Sequence, residues 1–481
     1  MRTAQKLFAL LMVVVMLAGC GATAAPAEPT AEQVVAPTTE PTAAPPEPTA
    51  VPVEPTAEPT AEPTAEAVVE PTAEPTSGQG EAGPATLVCD EPLKIGLITD
   101  KTGPLALYGE MIERSFLLGM EYMAGAPGTE DMTFTIDECD VQVLIRDDQG
   151  VAETTATVAR ELIEVDEVDL LVGTVSSGAT ATLQQVALDN DKILIVAPAA
   201  ANEITGANFN DHTFRVSRTN YHDAVNQCQY MTSQYQTYVQ IAPDYAFGWG
   251  GAQGFRDACT FFGGEFVADD IFAPADTTDF TPYMDQILSS GAEAWIVTWA
   301  GAGFIAMMQA AEESGVMEEM AMGTAYINNS LMPVFFGTAV GQTAGILYHY
   351  TAPDNPINDW LVEETMARYS VPPDLFDADG MNAAIAAVTA LYRTGGDTSS
   401  EALIAAMEGM EFEGPKGTIY FRPEDHLAVQ DMYIVKLVNV TDPESKFFEL
   451  VETTRPEVPC LLPEALKDRC GDLPYGSLTG E

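Results

Sequence analysis

Ser176 and Ser177 stand between an apolar run, Leu170 to Gly173, and a helical segment from Ala179 to Asn190. A hydroxyl at such a junction can hydrogen-bond a ligand, and the first N–H groups of a helix have no partner inside it. The pair therefore suits a carboxylate or another electron-rich group. An N-cap serine that satisfies only its own helix uses the same residue types, and the sequence alone does not separate the two roles. Acyl-transfer chemistry lacks its other parts. No Gly-x-Ser-x-Gly elbow occurs, and the four histidines, His212, His222, His349 and His426, are scattered, so neither serine has an assigned base. Gly248-Trp249-Gly250-Gly251 with Gly254 has the wrong spacing for a dinucleotide loop and reads as a helix start. The many carboxylates carry no geometry that would make two of them a glycosidase pair. Cysteine is the remaining reactive type. Beside Cys20 the chain has Cys89, Cys139, Cys228, Cys259, Cys460 and Cys470, with no Cys-x-x-Cys spacing, so no metal site and no cofactor is expected. An even count in an exported chain favours three disulfides, and the expected pairing is sequential. The protein is expected not to be an enzyme.

Flat apolar faces offer another kind of contact. Tyr108, Phe247 and Trp299 each fall where a strand should turn into a helix, at positions suited to covering a bound solute. Core packing uses aromatics at the same places.

The elements that must hold these residues alternate. Leu93 to Ile98 reads as a strand, followed by the turn Thr102-Gly103-Pro104 and a helix from about Gly109 to Met123. Strands near Gln142 to Arg146, Asp169 to Gly173 and Ile193 to Val196 follow, with helices from Glu153 to Val165 and Ala179 to Asn190 between them. A second series runs through strands at Tyr238 to Ala242, Phe266 to Phe272, Ala294 to Thr298 and Met320 to Met322, again with helices between. Apolar strands flanked by helices predict two doubly wound, mostly parallel α/β sheets, with the ligand at strand carboxyl ends in a crevice between them.

The first residues address the chain. Arg2 and Lys6 precede the apolar run Leu7 to Leu17, which is too short for a stable spanning helix and reads as a secretory signal. It ends in Leu17-Ala18-Gly19-Cys20, which resembles a bacterial lipobox; the implied product is lipidated on Cys20 and held extracytoplasmically at the cell membrane. Repeats such as Glu54-Pro55-Thr56-Ala57 then predict a disordered Pro/Thr/Glu-rich tether, because they offer little to bury and remove backbone donors. The net charge is -52, only a minor part of it from the tether, which argues against nucleic acid and anionic lipid as partners.

A family resemblance runs through the body. Lys94-Ile95-Gly96-Leu97, Thr102-Gly103-Pro104-Leu105-Ala106-Leu107-Tyr108-Gly109, Asp147-Asp148, Leu171 to Ser177, Val196 to Ala201, Phe214-Arg215-Val216, Asp244-Tyr245-Ala246-Phe247-Gly248 and Thr278-Asp279-Phe280 occur in that order. Together they resemble type I periplasmic binding proteins of the leucine/isoleucine/valine-binding branch, which serve ATP-driven (ABC) importers. The resemblance implies two Rossmann-like lobes joined by a hinge that the chain crosses three times. The expected layout is a signal over 1–19, the tether over 20–87, and a first lobe from 88–217 with about 353–425. A second lobe follows from 218–352 with about 426–450, and then a C-terminal extension with a disulfide loop over 451–481. It implies a monomer that captures a small-molecule solute by lobe closure and hands it to a membrane permease and ATPase. A sensory ligand domain is the alternative, and an exported hydrolase a more distant one.

Residue by residue, the resemblance places a solute carboxylate on Ser177 and backbone contacts at Ala199 and Ala201, and aligns Ala325, beside Tyr326, with a ligand-contacting position; with Tyr108, Ser176, Phe247 and Trp299 these are the expected ligand-binding residues. Amino-acid binders of the branch carry an acidic residue at the place of Ala325. A desolvated ammonium without such a partner would be costly, so amides, urea-like solutes and carboxylates with an apolar or aromatic body are expected instead. Asp100 and Asp379 are candidate sources of a displaced negative charge.

Overall fold

The computed structural model describes residues 86–301 and 303–480; the expected signal, Cys20 and the tether up to residue 85 lie outside them. Strand β1 (Leu93–Thr99) is buried from Ile95 onward, and β4 (Leu170–Val172) and β5 (Ile193–Val196) are buried along their whole length. Such runs belong to a sheet covered on both faces. With β2 (Thr133–Ile136), β3 (Cys139–Asp147) and β6 (Thr213–Arg215) they form a sheet in the order β2-β3-β1-β4-β5-β6. It is parallel except at β2, which returns antiparallel along β3. Between these strands come α1 (Ala106–Ala124), α2 (Ala152–Glu164) and α3 (Ser177–Asp189).

The second lobe repeats the arrangement. After α4 (Asn220–Met231), β7 (Thr237–Pro243) is joined on one side by β8 (Glu265–Phe266) and β9 (Ile271–Ala273), and on the other by β10 (Ala294–Val297) and β11 (Ala321–Gly323), all parallel. Helices α5 (Ala246–Phe261), α6 (Thr281–Ser289) and α7 (Gly303–Ser314) connect them. The strand expected over Phe266 to Phe272 is split into β8 and β9. Between them the Asp270 carboxylate is drawn onto Arg256 and onto Gln240 Nε2 at 2.6 Å, which bends the chain out of the ladder.

Two short helices, α8 (Val316–Glu319) and α9 (Met332–Phe335), lead to β12 (Thr343–Ile346). The chain then returns to the first lobe. Helices α10 (Pro356–Tyr369) and α11 (Asp377–Thr394) both pack on α1, and α12 (Ser400–Met407) lies against β5. A small antiparallel sheet of β13 (Glu411–Gly414), β14 (Gly417–Phe421) and β15 (Ala428–Val429) follows. Finally β16 (Met432–Leu437) pairs with β12 and with β17 (Phe448–Thr454), next to α4.

Strand order reverses between β1 and β4 in one sheet and between β7 and β10 in the other. Connections leaving the carboxyl ends at such a point diverge to opposite faces and open a crevice. Both crevices contribute to the site described below.

The disulfides are Cys89–Cys139, Cys228–Cys259 and Cys460–Cys470. Cys228–Cys259 joins α4 to α5 and closes a loop of 31 residues, worth about 3–4 kcal/mol in the chain-entropy account. The double variant Cys228→Ser/Cys259→Ser is expected to lose that much stability in urea unfolding, with solute affinity close to wild type because neither sulfur reaches the cleft; a loss below about 1 kcal/mol would contradict the entropic account.

Candidate ligand-binding site

Four helices begin on one chamber between the lobes. Its wall includes Leu105 and Tyr108 at the start of α1, Ser176 and Ser177 at the start of α3, Tyr245 and Phe247 at the start of α5, and Phe376 just before α11. Each helix start carries the positive end of its peptide dipoles, although at α1 the Leu105, Ala106 and Tyr108 N–H groups are already spent on Asp100, Gly103 O and Leu105 O. Whereas α11 carries Asp377 and Asp379 in its first turn, the dipoles of α1, α3 and α5 thus turn their positive ends to the chamber.

A side chain adds full charge to it. Arg218, on the chain crossing between β6 and α4, is 1 % exposed and lines the chamber. Its Nη1 donates to Pro198 O at 2.9 Å, and its guanidinium lies 5.1 Å from the Phe376 ring centre and 5.4 Å from that of Tyr326. Asp223 Oδ2 sits 3.4 Å from Nε and also accepts from the Tyr326 hydroxyl at 2.6 Å. Burial works against the Arg218 charge, but Asp223, Tyr326 and Asp379 outweigh it and the guanidinium stays protonated, its pKa shifted upward. The Asp223 carboxyl moves up, driven by burial and opposed by Arg218. The pair is therefore mutually dependent: each charge persists in the interior because the other is present.

The sequence-predicted residues divide. Tyr108, Ser176, Ser177, Ala199, Phe247 and Tyr326 all line the chamber. Ser176 is also the N-cap of α3, with Oγ at 3.5 Å from Ala179 N, so both of its candidate roles coexist. Ser177 is buried, and its Oγ accepts from Ala201 N at 3.3 Å. Ala201 lies behind the wall: its N–H serves Ser177, and its carbonyl accepts from Arg215 Nη1 at 2.6 Å. Trp299 is packed edge-on to Phe280 at 5.0 Å and reaches only the wider outer mouth of the cleft, because α7 turns back over it at Gly303. Ala325 faces a different cavity, on the far side of Tyr326. Of the two displaced-charge candidates, Asp100 accepts from Gly103 N and Leu105 N and so shapes the β1–α1 turn. Asp379 is buried near Lys416 and Arg218 without reaching the chamber. Among the described residues lining the inner chamber there is no carboxylate.

Arg218, Tyr245 and Phe376 were not foreseen. Arg218 follows Phe214-Arg215-Val216 by two residues, and Phe376 follows Pro372-Pro373-Asp374, a turn before a helix; both signals were visible.

The lobes touch across the cleft. Gly301 N, beyond β10, donates to the Tyr108 hydroxyl at 3.3 Å, and Tyr108 stands edge-on to Phe376 at 5.2 Å. Within the second lobe, Phe247 meets Tyr326 at 5.4 Å. The chamber is thus a partly enclosed aromatic box with the Arg218 guanidinium in its wall, and among its described lining residues no nucleophile has a base assembled beside it.

Comparison with known proteins agrees with this architecture. A family model described as periplasmic binding protein matches residues 92–442. The Leu/Ile/Val-binding protein homolog 6 of Brucella melitensis biotype 1 is 25% identical over 366 residues, covering 73% of this chain and 88% of its own. The crystal structure of an ABC-type branched-chain amino acid transporter protein from Rhodopseudomonas palustris CGA009 is 34% identical, covers 77% of this chain and 100% of its own, and superposes with a TM-score of 0.64. A solute-binding protein of an ABC transporter from Rhodopseudomonas palustris BisB5, in complex with 3,4-dihydroxy benzoic acid, shares the fold at 23% identity, 76% and 97% coverage and a TM-score of 0.65. With most of its length matched by the family model, this chain belongs to the periplasmic binding protein family, as an extracytoplasmic solute-binding component of an ABC transporter and not an enzyme.

Proposed function

We propose that the protein captures a small carboxylate with an aromatic or other apolar body and delivers it to the permease and ATPase of an ABC importer. The observation that carries this reading is the convergence of four helix starts and the buried Arg218 guanidinium on a chamber whose lining holds no carboxylate. An anion gains the dipoles, the guanidinium and the Ser177 hydroxyl, whereas the ammonium of a zwitterionic amino acid finds no carboxylate among the lining residues. Tyr108, Phe247, Tyr326 and Phe376 then bracket a flat body. The benzoate derivative held by the BisB5 protein is of this class, but at 23% identity that likeness is one of fold alone. Closure couples to binding because donors and aromatic faces from both lobes meet the solute only when the lobes are together. Lipidation of Cys20 and the tether, read from the sequence, complete the reading as a membrane-held monomer.

The test is a thermal-shift screen of the full-length chain against benzoate, hydroxybenzoates, branched aliphatic carboxylates and leucine. Benzoate-type acids are expected to raise the melting temperature by several degrees and leucine by less, with the ligand recovered unchanged. Ser177→Ala is expected to weaken the best acid about tenfold while the fold is retained, since it removes one hydrogen bond to a charged group. A larger shift with leucine than with any acid would overturn the carboxylate assignment while leaving solute capture in place.

A further inference from the structure

Behind the Tyr326 wall lies a second cavity, whose interior offers about 80 Å³ to the centre of a water-sized guest. Met317, Met320, Met322, Met332, Phe336 and Leu437 supply most of its apolar surface. Methionine side chains are flexible and polarizable and adapt to varied apolar guests. The cavity is separate from the solute chamber but shares its partition: Ala325 faces the cavity and Tyr326 the chamber, and Leu375 and Phe376 divide in the same way.

The charge of this cavity has one sign. Its described lining contains no lysine or arginine, and His349 is kept neutral, its pKa pushed down to about 4 by burial, with ring nitrogens 2.7 Å from Thr351 Oγ1 and 3.0 Å from Ser445 O. The one carboxylate is Asp374, which is not fully buried; it accepts from Asn329 N at 2.9 Å and Leu375 N at 2.9 Å. The nearest cation, Arg114, is already held by Asp377 through contacts of 2.7 and 2.5 Å. We propose that this cavity is a second binding site, distinct from the carboxylate cleft, that takes a small hydrophobic amine with its ammonium on Asp374 and its hydrocarbon body among the methionines. The ligand is opposite in charge to the solute of the cleft, so the two sites are chemically orthogonal. Desolvation pushes the Asp374 carboxyl up to about 7, and an ammonium beside it would restore the ionised form.

Phenethylamine is the probe, titrated calorimetrically into the full-length chain. Saturable one-to-one binding is expected, at least about tenfold tighter than for the isosteric alcohol 2-phenylethanol, and lost in Asp374→Asn. Affinity is expected to rise as pH rises through about 7 and the Asp374 carboxyl ionises. Arg114, Asp377, Tyr108 and Tyr348 are the charged or titratable groups facing that carboxyl: burial raises the pKa of both tyrosine hydroxyls, while Arg114 and the Asp377 carboxyl, itself raised by burial, hold each other. A location test needs no variant: with methyl-labelled methionine, the signals of Met317, Met320, Met322 and Met332 should move on adding phenethylamine. Unmoved methionine signals at millimolar amine, equal binding of the alcohol, or undiminished binding by Asp374→Asn would each overturn the proposal.

Discussion

Replacing Arg218 with leucine is expected to abolish solute capture and to lower stability by about 3–5 kcal/mol at neutral pH. The first effect follows from the place of the guanidinium on the chamber wall, where it is the one full positive charge among the lining residues. The second comes from its partner. Asp223 is 1 % exposed, and without Arg218 its carboxylate keeps only the Tyr326 hydroxyl and weaker contributions from Lys416. Burial already raises its pKa, and removing the guanidinium removes the first of the influences that oppose this. A carboxyl whose folded-state pKa lies above its unfolded value is stabilising when protonated and loses that contribution as pH rises through the folded value. The deficit of Arg218→Leu should therefore be largest at neutral pH and shrink on acidification, as measured by urea unfolding at several pH values. Arg218→Leu/Asp223→Asn separates the two effects: stability should recover by most of the deficit, because an uncharged amide replaces the orphaned charge, while binding stays lost. Wild-type affinity in Arg218→Leu would remove the anion argument, and a double variant as unstable as the single one would remove the buried-pair argument.

What could be read from the sequence was whatever is local. Strands β1, β4, β5, β7 and β10 are short apolar runs, Ser177 and Phe247 follow strand ends by a few residues and Tyr108 opens the helix after β1, so their place at the crevice comes directly from the βα pattern. Arg218 and Phe376 reach the same chamber from a chain crossing and from the returning segment, where neither periodicity nor spacing indicates which way a side chain will face. Ala201 and Ala325 were carried to the site by resemblance, yet the first spends its N–H and carbonyl on Ser177 and Arg215 and the second turns to the neighbouring cavity. Trp299 shows the limit of an aromatic at a strand end: a ring that size finds more contact beside Phe280 than in an open cleft. The sheets built from β12 to β17 lie outside the strand-helix alternation: β13 to β15 and β16 with β17 pair locally, but β12 meets β16 only across the whole returning segment, as between Thr343 and Lys436.

Gly248→Ala is expected to cost about 3 kcal/mol or more and to weaken solute binding as well, although the added group is a single methyl. A Cβ at this position would sit 1.9 Å from the Pro243 carbonyl oxygen, which is backbone at the end of β7 and cannot rotate away. Helix α5 would have to lift off the strand. The preceding residue is Phe247, whose carbonyl accepts from Asn220 Nδ2 at 2.8 Å and whose ring meets Tyr326, so the same shift misaligns one face of the solute chamber. The first lobe repeats the device: Tyr108 faces the chamber and Gly109 lies against the end of β1, where a Cβ would come 1.7 Å from Asp100 O. In each lobe an aromatic-glycine pair therefore lets a helix start press onto a strand end while its aromatic neighbour enters the cleft. Gly178 is the control. It occupies the first turn of α3, beside the same cleft, but a Cβ there would meet only Ser176 Oγ at 4.0 Å, and Gly178→Ala should be tolerated. Urea unfolding and solute titration of both variants decide the matter: if Gly248→Ala were as stable as Gly178→Ala, close backbone approach would not be what seats α5, and the parallel drawn between the two lobes would fail with it.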